Sequence, residues 1–192
     1  MHFVQNFPFI GILLIMGSKS TRKKDVGGIL IGFAVLMFGM DIMSDAVSVL
    51  KSIPEFGEIL VMFENPFLGV LAGTVLTAIV QSSSASVGIL QALTASGAIS
   101  FGVAIPIVMG QNIGTCVTAM LSSMSSSKNG KRAALIHLYF NIISVILVLS
   151  GFYILDAILD FSPLLDATTN MWHIAIIHTA YNVAVTLVLI PA

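Results

Sequence analysis

The residues best suited to chemistry sit in one run, Val80-Gln81-Ser82-Ser83-Ser84-Ala85-Ser86, where five hydrogen-bonding side chains interrupt an otherwise apolar stretch. An amide or hydroxyl placed in hydrocarbon without a partner costs about 4–8 kcal/mol, so such a run needs a polar ligand or polar protein neighbours. Farther on, Gly110-Gln111-Asn112-Ile113-Gly114-Thr115 repeats the arrangement, with Thr118 close behind. All these groups are neutral, and no Arg or Lys occurs between Lys51 and Lys128. An anion held here must be neutralised by something other than the protein. Bound Na+ is the simplest candidate, because it shares oxygen ligands with an oxyanion. Serine and threonine hydroxyls donate to an oxyanion and accept from a cation, and Gln81, Gln111 and Asn112 can do both at once. A helix starting after each interruption would add the positive end of its dipole.

The remaining polar residues support or bound this site. His137 and Asn141, and again His178 and Asn182, stand four apart. That spacing puts each pair on one helical face, where two helices can bond to each other or to the interrupted segments, so both pairs read as structural support in preference to a proton relay. His173 beside Trp172 marks a membrane interface. Asp41 and Asp45 also share a face; a cation path would use them, but a helix that has already reached the interface explains them more simply. One cysteine, Cys116, excludes an internal disulfide, and no His/Cys cluster has zinc-ligand spacing, so no cofactor is expected.

The elements that must position these groups are membrane helices. The 192 residues are 57% hydrophobic and 9% charged, with a mean hydropathy of +1.02, whereas soluble domains carry about 25% charged residues. The chain reads as an all-α, multi-pass protein of the cell (cytoplasmic) membrane, its partner the lipid bilayer rather than nucleic acid. Phe3 to Gly17 is a short first span with no basic residue ahead of it, hence not a secretory signal, and its brevity suggests a missing native start. Lys19, Arg22, Lys23 and Lys24 mark the loop 18–25 as cytoplasmic, as Lys128, Lys131 and Arg132 mark 124–132. Val26 to Met40 forms the next span, with Gly28 and Gly32 spaced for a close helix neighbour. Lys51 to Asn65, with Pro54, Glu55, Gly57, Glu58 and Glu64, reads as an outer interfacial segment.

Residues 66–97 are too few for two crossings of about 20 residues each. They read as a re-entrant helical hairpin with the polar run at its tip and with Gly69 and Gly73 letting its arms pack closely. Residues 100–123 read as a helix broken at mid-membrane, where Gly110 and Gly114 permit non-helical backbone. Ala133 to Leu155 is a long span, Asp156, Asp160, Pro163 and Asp166 an outer loop, and Met171 to Ile190 a last span. The expectation is a single membrane domain, 1–192, with about five transmembrane segments plus the hairpin. It divides into a short first span and basic loop (1–25), a repeat unit (26–155), and an outer loop with the last span (156–192).

The Gln81-Ser82-Ser83-Ser84-Ala85 motif, followed by Gly110-Gln111-Asn112-Ile113-Gly114-Thr115 and then by the His137 and His178 boxes, resembles the type II sodium/phosphate cotransporter family, in its bacterial branch. The resemblance covers roughly residues 32–191. It implies a sodium-coupled symporter of inorganic phosphate with two inverted repeats, each giving one such hairpin to a central site. On that basis Gln81, Ser82, Ser83 and Ser84 would bind substrate with Gln111, Asn112 and Thr115 beside them. Na+ would use Gln81, Ser83, Ser84, Asn112 and Thr115, and Gly110, Gly114, Thr118, His137, Asn141, His178 and Asn182 would support. Only one Gln-Ser-Ser-Ser occurs here, and Val87-Gly88-Ile89-Leu90-Gln91-Ala92-Leu93 resembles the segment just after the motif in the family's second repeat. Residues 26–155 hold three crossings plus the hairpin, the odd number an inverted duplication requires. The other half of the site is therefore expected in the same longer chain or in another copy.

Two other classes compete with a transporter. An intramembrane serine hydrolase would use Ser83 as nucleophile and His137 or His178 as base, but no Gly-x-Ser-x-Gly elbow surrounds the serines and no acid is placed to orient either histidine. A structural subunit would use the serines as glue between helices, although three consecutive serines cannot all face one partner. A non-enzyme is expected.

Overall fold

The computed structural model describes residues 6–48 and 62–189. These form helices and short connections, with one isolated antiparallel bridge between Ser100 and Thr168. The chain divides into two compact units, residues 1–46 and 47–192.

In the first unit, α1 (Phe7–Gly17) and α2 (Thr21–Ser48) pack on each other. Pro8 falls in the first turn of α1, where its missing N–H has no intrahelical acceptor to lose. The contact glycines are Gly11 and Gly27: a Cβ on Gly27 would lie 2.6 Å from the Gly11 carbonyl oxygen. Gly28 and Gly32, expected to make the close approach, instead have open space around them. Helix periodicity is the reason, since Gly28 is turned about 100° from Gly27. Arg22, Lys23 and Lys24 lie in the first turn of α2 rather than in a loop. Asp41 and Asp45 are exposed near its other end.

The second unit comprises α3 (Pro66–Val80), α4 (Ser83–Leu93), a 3-10 turn (Thr94–Ser96), α5 (Phe101–Ser123), α6 (Lys128–Leu159), the short α7 (Ser162–Leu165) and α8 (Met171–Leu189). Its axis is α5. The expected break at Gly110–Gly114 does not occur: α5 is continuous for 23 residues. Its glycines serve packing instead. A Cβ on Gly110 would lie 2.0 Å from the Val70 carbonyl oxygen, one on Gly73 2.0 Å from that of Ile107, and one on Gly114 2.5 Å from that of Thr74. Gly69 likewise meets Pro106. The four-residue rows Gly69-Gly73-Thr77 and Pro106-Gly110-Gly114 thus interlock, and α3 and α5 run parallel at backbone contact distance. Gly69 and Gly73 face α5, not the other arm of the hairpin as expected. The close approach lets the Thr74 hydroxyl share its proton between the Val70 carbonyl at 2.8 Å and, across the interface, the Gly110 carbonyl at 3.0 Å.

Helix α4 returns alongside α3. Phe63, before α3, Leu93, which ends α4, and Ile99, after it, pack on one apolar cluster with Leu90, Val103, Ala104 and Ile174, so both ends of the α3–α4 pair lie together. The same end carries a polar tie. The Thr169 N–H and hydroxyl both donate to the Ile99 carbonyl, at 2.7 and 2.9 Å, and the Gln91 amide donates to that of Met171 at 3.0 Å. At the start of α8, Asn170 and His173 cap each other reciprocally, and His173 stacks on Phe101 with ring centroids 5.0 Å apart. Helix α6 runs antiparallel to α5, its His137 carbonyl meeting the Cys116 thiol and its Val145 packing with Ile105 and Met109. After α6, Ser162 donates through its N–H and hydroxyl to the Asp160 carboxylate, which holds that carboxyl below its usual range.

Among the described residues four helices, α2, α5, α6 and α8, are long and apolar enough to cross a membrane. The expected short first span is α1, an 11-residue helix about 17 Å long. Helix α6 starts at Lys128, so Lys128, Lys131 and Arg132 belong to it rather than to a loop, and Asp156 lies in its last turn. Residues 49–61, with Lys51, Pro54, Glu55, Gly57 and Glu58, lie outside the described residues.

Candidate functional site

The polar run forms the turn between α3 and α4. Gln81 ends α3 in the left-handed conformation, φ 56°, its N–H donating to the Thr77 carbonyl at 2.7 Å. Ser82 is the N-cap of α4: its hydroxyl accepts from the Ala85 N–H at 3.3 Å and its carbonyl from the Ser86 N–H at 2.9 Å. A serine between two helices suits this position, because its side chain replaces a backbone acceptor at the start of the second one. The Ser83 and Ser84 N–H groups remain without an intrahelical acceptor at the positive end of α4. Gln81, Ser82 and Ser84 are exposed and Ser83 is half-buried.

Behind this tip the structure is dry. Thr77 and Ser86 are fully buried, and the Thr77 hydroxyl donates to the Ser86 hydroxyl at 2.7 Å. Gln111, also buried, donates from Nε2 to the Ser86 carbonyl at 3.1 Å, while its Oε1 has no partner among the described residues. Ser86 thus meets α5 at Gln111, and Thr77 meets it at Gly114, so the tip, one turn beyond Thr77, lies past about 20 Å along a helix of about 34 Å. Neither α3, α4 nor α5 contributes a basic residue to this neutral environment.

The other expected residues are distributed unevenly. Thr115 stands one turn beyond Gln111, its hydroxyl donating to the Gln111 carbonyl at 2.9 Å, and Thr118 donates in turn to Thr115 at 2.8 Å. Asn112 is turned about 100° from Gln111 and donates to the Val108 carbonyl at 3.0 Å. No hydrogen bond joins Asn112, Thr115 or Thr118 to the tip among the described residues. The His-Asn boxes are not side-chain pairs: Asn141 and Asn182 donate to the backbone carbonyls of His137 and His178, at 2.9 and 2.8 Å. His137 lines a shallow cavity of about 320 Å³ with Ser122, Ser123, Ser126 and Gly130, at the α5–α6 connection. Among the described residues only α4 offers a helix N-terminus at the site, since unbroken α5 begins far from it. Sequence reasoning missed Thr77, whose signal was its place in the four-residue row with Gly69 and Gly73.

A profile of the Na+/Pi-cotransporter family matches residues 53–180, a span that holds the tip, all of α5 and the contact rows. The chain belongs to the Na+/Pi-cotransporter family. Among its relatives in this family, the uncharacterized protein YqeW of Bacillus subtilis is 33% identical over 73% of the chain and 46% of its own length. YjbB of Escherichia coli, provisionally named an inorganic phosphate export protein, is 28% identical over 95% of the chain and 33% of its own length. The human sodium-dependent phosphate transport protein 2B is 32% identical over 69% of the chain and 22% of its own length. The chain thus spans less than half the length of these relatives. No solved structure matches it.

Proposed function

We propose that this chain carries one half of the binding site of a sodium-coupled phosphate transporter, with the Gln81–Ser84 tip as its anion-binding element. The observation that carries the reading is the depth of the tip. Exposed hydroxyls and free N–H groups at the positive end of α4 lie within the length of α5, a helix long enough to span the bilayer, where hydrocarbon offers them no partner. A phosphate oxygen accepts from all of them, and its charge is met by Na+ because α3, α4 and α5 supply no cation there. The names of the human and Escherichia coli relatives support phosphate as the cargo, and the human one supports sodium as the coupling ion. Gln81, Ser82, Ser83 and Ser84 contact phosphate. Na+ lies between the tip and α5, using Gln81, Ser83, Ser84, Asn112 and Thr115. The facing half, from the rest of a longer chain or from a second copy, covers the exposed side of the tip. Among the described residues no imidazole is hydrogen-bonded to Ser82, Ser83 or Ser84, which favours transport over hydrolysis.

Replacing Na+ by choline at constant ionic strength is expected to collapse phosphate uptake by the complete protein in proteoliposomes. Uptake that persists unchanged would rule out sodium coupling. The hairpin reading has its own check. In a Cys116→Ala background, cysteines at Asn65 and Ala98, both exposed and at the two ends that the structure brings together, are both expected to react with an impermeant thiol reagent from the outer face. Labelling from opposite faces would make α3–α4 a true crossing.

A further inference from the structure

We infer that Thr77 and Ser86, which flank the tip on either side, are positioning residues that set its geometry. Three hydrogen bonds close a ring around the turn. The Gln81 N–H donates to the Thr77 carbonyl at 2.7 Å, the Thr77 hydroxyl to the Ser86 hydroxyl at 2.7 Å, and the Ser86 N–H to the Ser82 carbonyl at 2.9 Å. Both residues are fully buried, so water does not compete for the hydroxyl pair. The ring is also anchored outside itself. Gln111 holds the Ser86 carbonyl, and Thr77 is wedged against Gly114, whose added Cβ would lie 2.7 Å from the Thr77 Cβ.

The consequence falls on the exposed atoms. Gln81 has φ 56° without being glycine, a conformation that costs free energy and persists where its surroundings enforce it. The ring enforces it, and thereby sets the direction in which the Ser83 and Ser84 N–H groups point. Thr77 and Ser86 touch no ligand themselves. They act through the tip, so their role in phosphate affinity rests on the proposed function, whereas their role in tip geometry does not.

The test uses the complete protein in membranes with Cys116→Ala and a reporter cysteine at Ser84. Thr77→Val keeps the shape and removes the hydroxyl; Ser86→Ala removes the other partner without adding bulk; Thr77→Ser keeps the hydroxyl. The ring predicts that Thr77→Val and Ser86→Ala each raise the thiol reaction rate several-fold, and that Thr77→Ser matches the parent. In the protein without the reporter, the same two variants are expected to raise the KM for phosphate about tenfold, the size of one lost buried hydrogen bond, with kcat changed less than about twofold. Unchanged thiol rates in both variants, or a Thr77→Ser variant as reactive as Thr77→Val, would overturn the inference. Raised thiol rates in a protein that transports no phosphate would support the ring and refute the phosphate reading instead.

Discussion

Gly110→Ala is expected to force α3 and α5 apart and to lose most folded protein from the membrane. The added Cβ would lie 2.0 Å from the Val70 carbonyl oxygen and 2.8 Å from its carbonyl carbon. Both are backbone atoms, so no rotamer change relieves the clash. The helices must separate by more than about 1 Å, an overpacking cost of about 1–3 kcal/mol or more. The separation would also break the Thr74 bond to the Gly110 carbonyl and loosen the facing approach at Gly73. Without a hydrophobic drive between helices in lipid, backbone packing of this kind is what holds the pair together. Gly28→Ala is the contrast: its Cβ meets nothing within 4 Å, and in a helix alanine is favoured over glycine by about 1 kcal/mol. Thermal unfolding in detergent, monitored by size-exclusion chromatography, should show a large loss for Gly110→Ala and none for Gly28→Ala. Equal behaviour of the two would contradict the interlocked rows.

The same glycines mark the boundary between local and non-local information in the chain. Both polar interruptions are legible as departures from an apolar background, and the one at Gln81–Ser86 is a turn between helices, as the length of its segment suggests. The one at Gly110–Thr115 has the same outward form, with glycines on either side of two amides, yet α5 runs straight through it. Glycine permits a break and equally permits contact, and only the partner helix decides between them. The partner row, Gly69-Gly73-Thr77, is visible in the sequence, but spacing alone assigns it to the wrong neighbour, because pairing between distant segments is not a local property. Gln111 shows the same limit. Its amide marks a polar position, but its burial against the Ser86 carbonyl depends on how α4 folds back. Helix ends differ for another reason. Hydropathy stops α2 and α6 at their charged residues, whereas helix geometry extends through Arg22, Lys128 and Lys131, whose long side chains reach polar surroundings from within a helix.

Ser83→Ala and Gln81→Ala are expected to be the most damaging changes at the tip itself. Each removes a donor from the proposed phosphate site, where a hydrogen bond to a charged group is worth about 1.5–3 kcal/mol, so phosphate affinity should fall tenfold or more. Folding should be spared, because neither side chain is fully buried and the helix ends are capped by Ser82 and by backbone bonds that survive. The damage should therefore appear in KM while membrane expression stays at the parental level.

The measurement that bears most directly on the transport site is phosphate uptake by the complete protein, across a sodium titration, for Ser83→Ala and Asp45→Asn at matched expression. If the α3–α4 tip binds phosphate with sodium, Ser83→Ala raises the KM at least about tenfold, the equivalent of one lost charged hydrogen bond, and Asp45→Asn, exposed near the end of α2, transports as the parent does. A normal Ser83→Ala beside an inactive Asp45→Asn would contradict the tip as the binding element and move the ion path to α2.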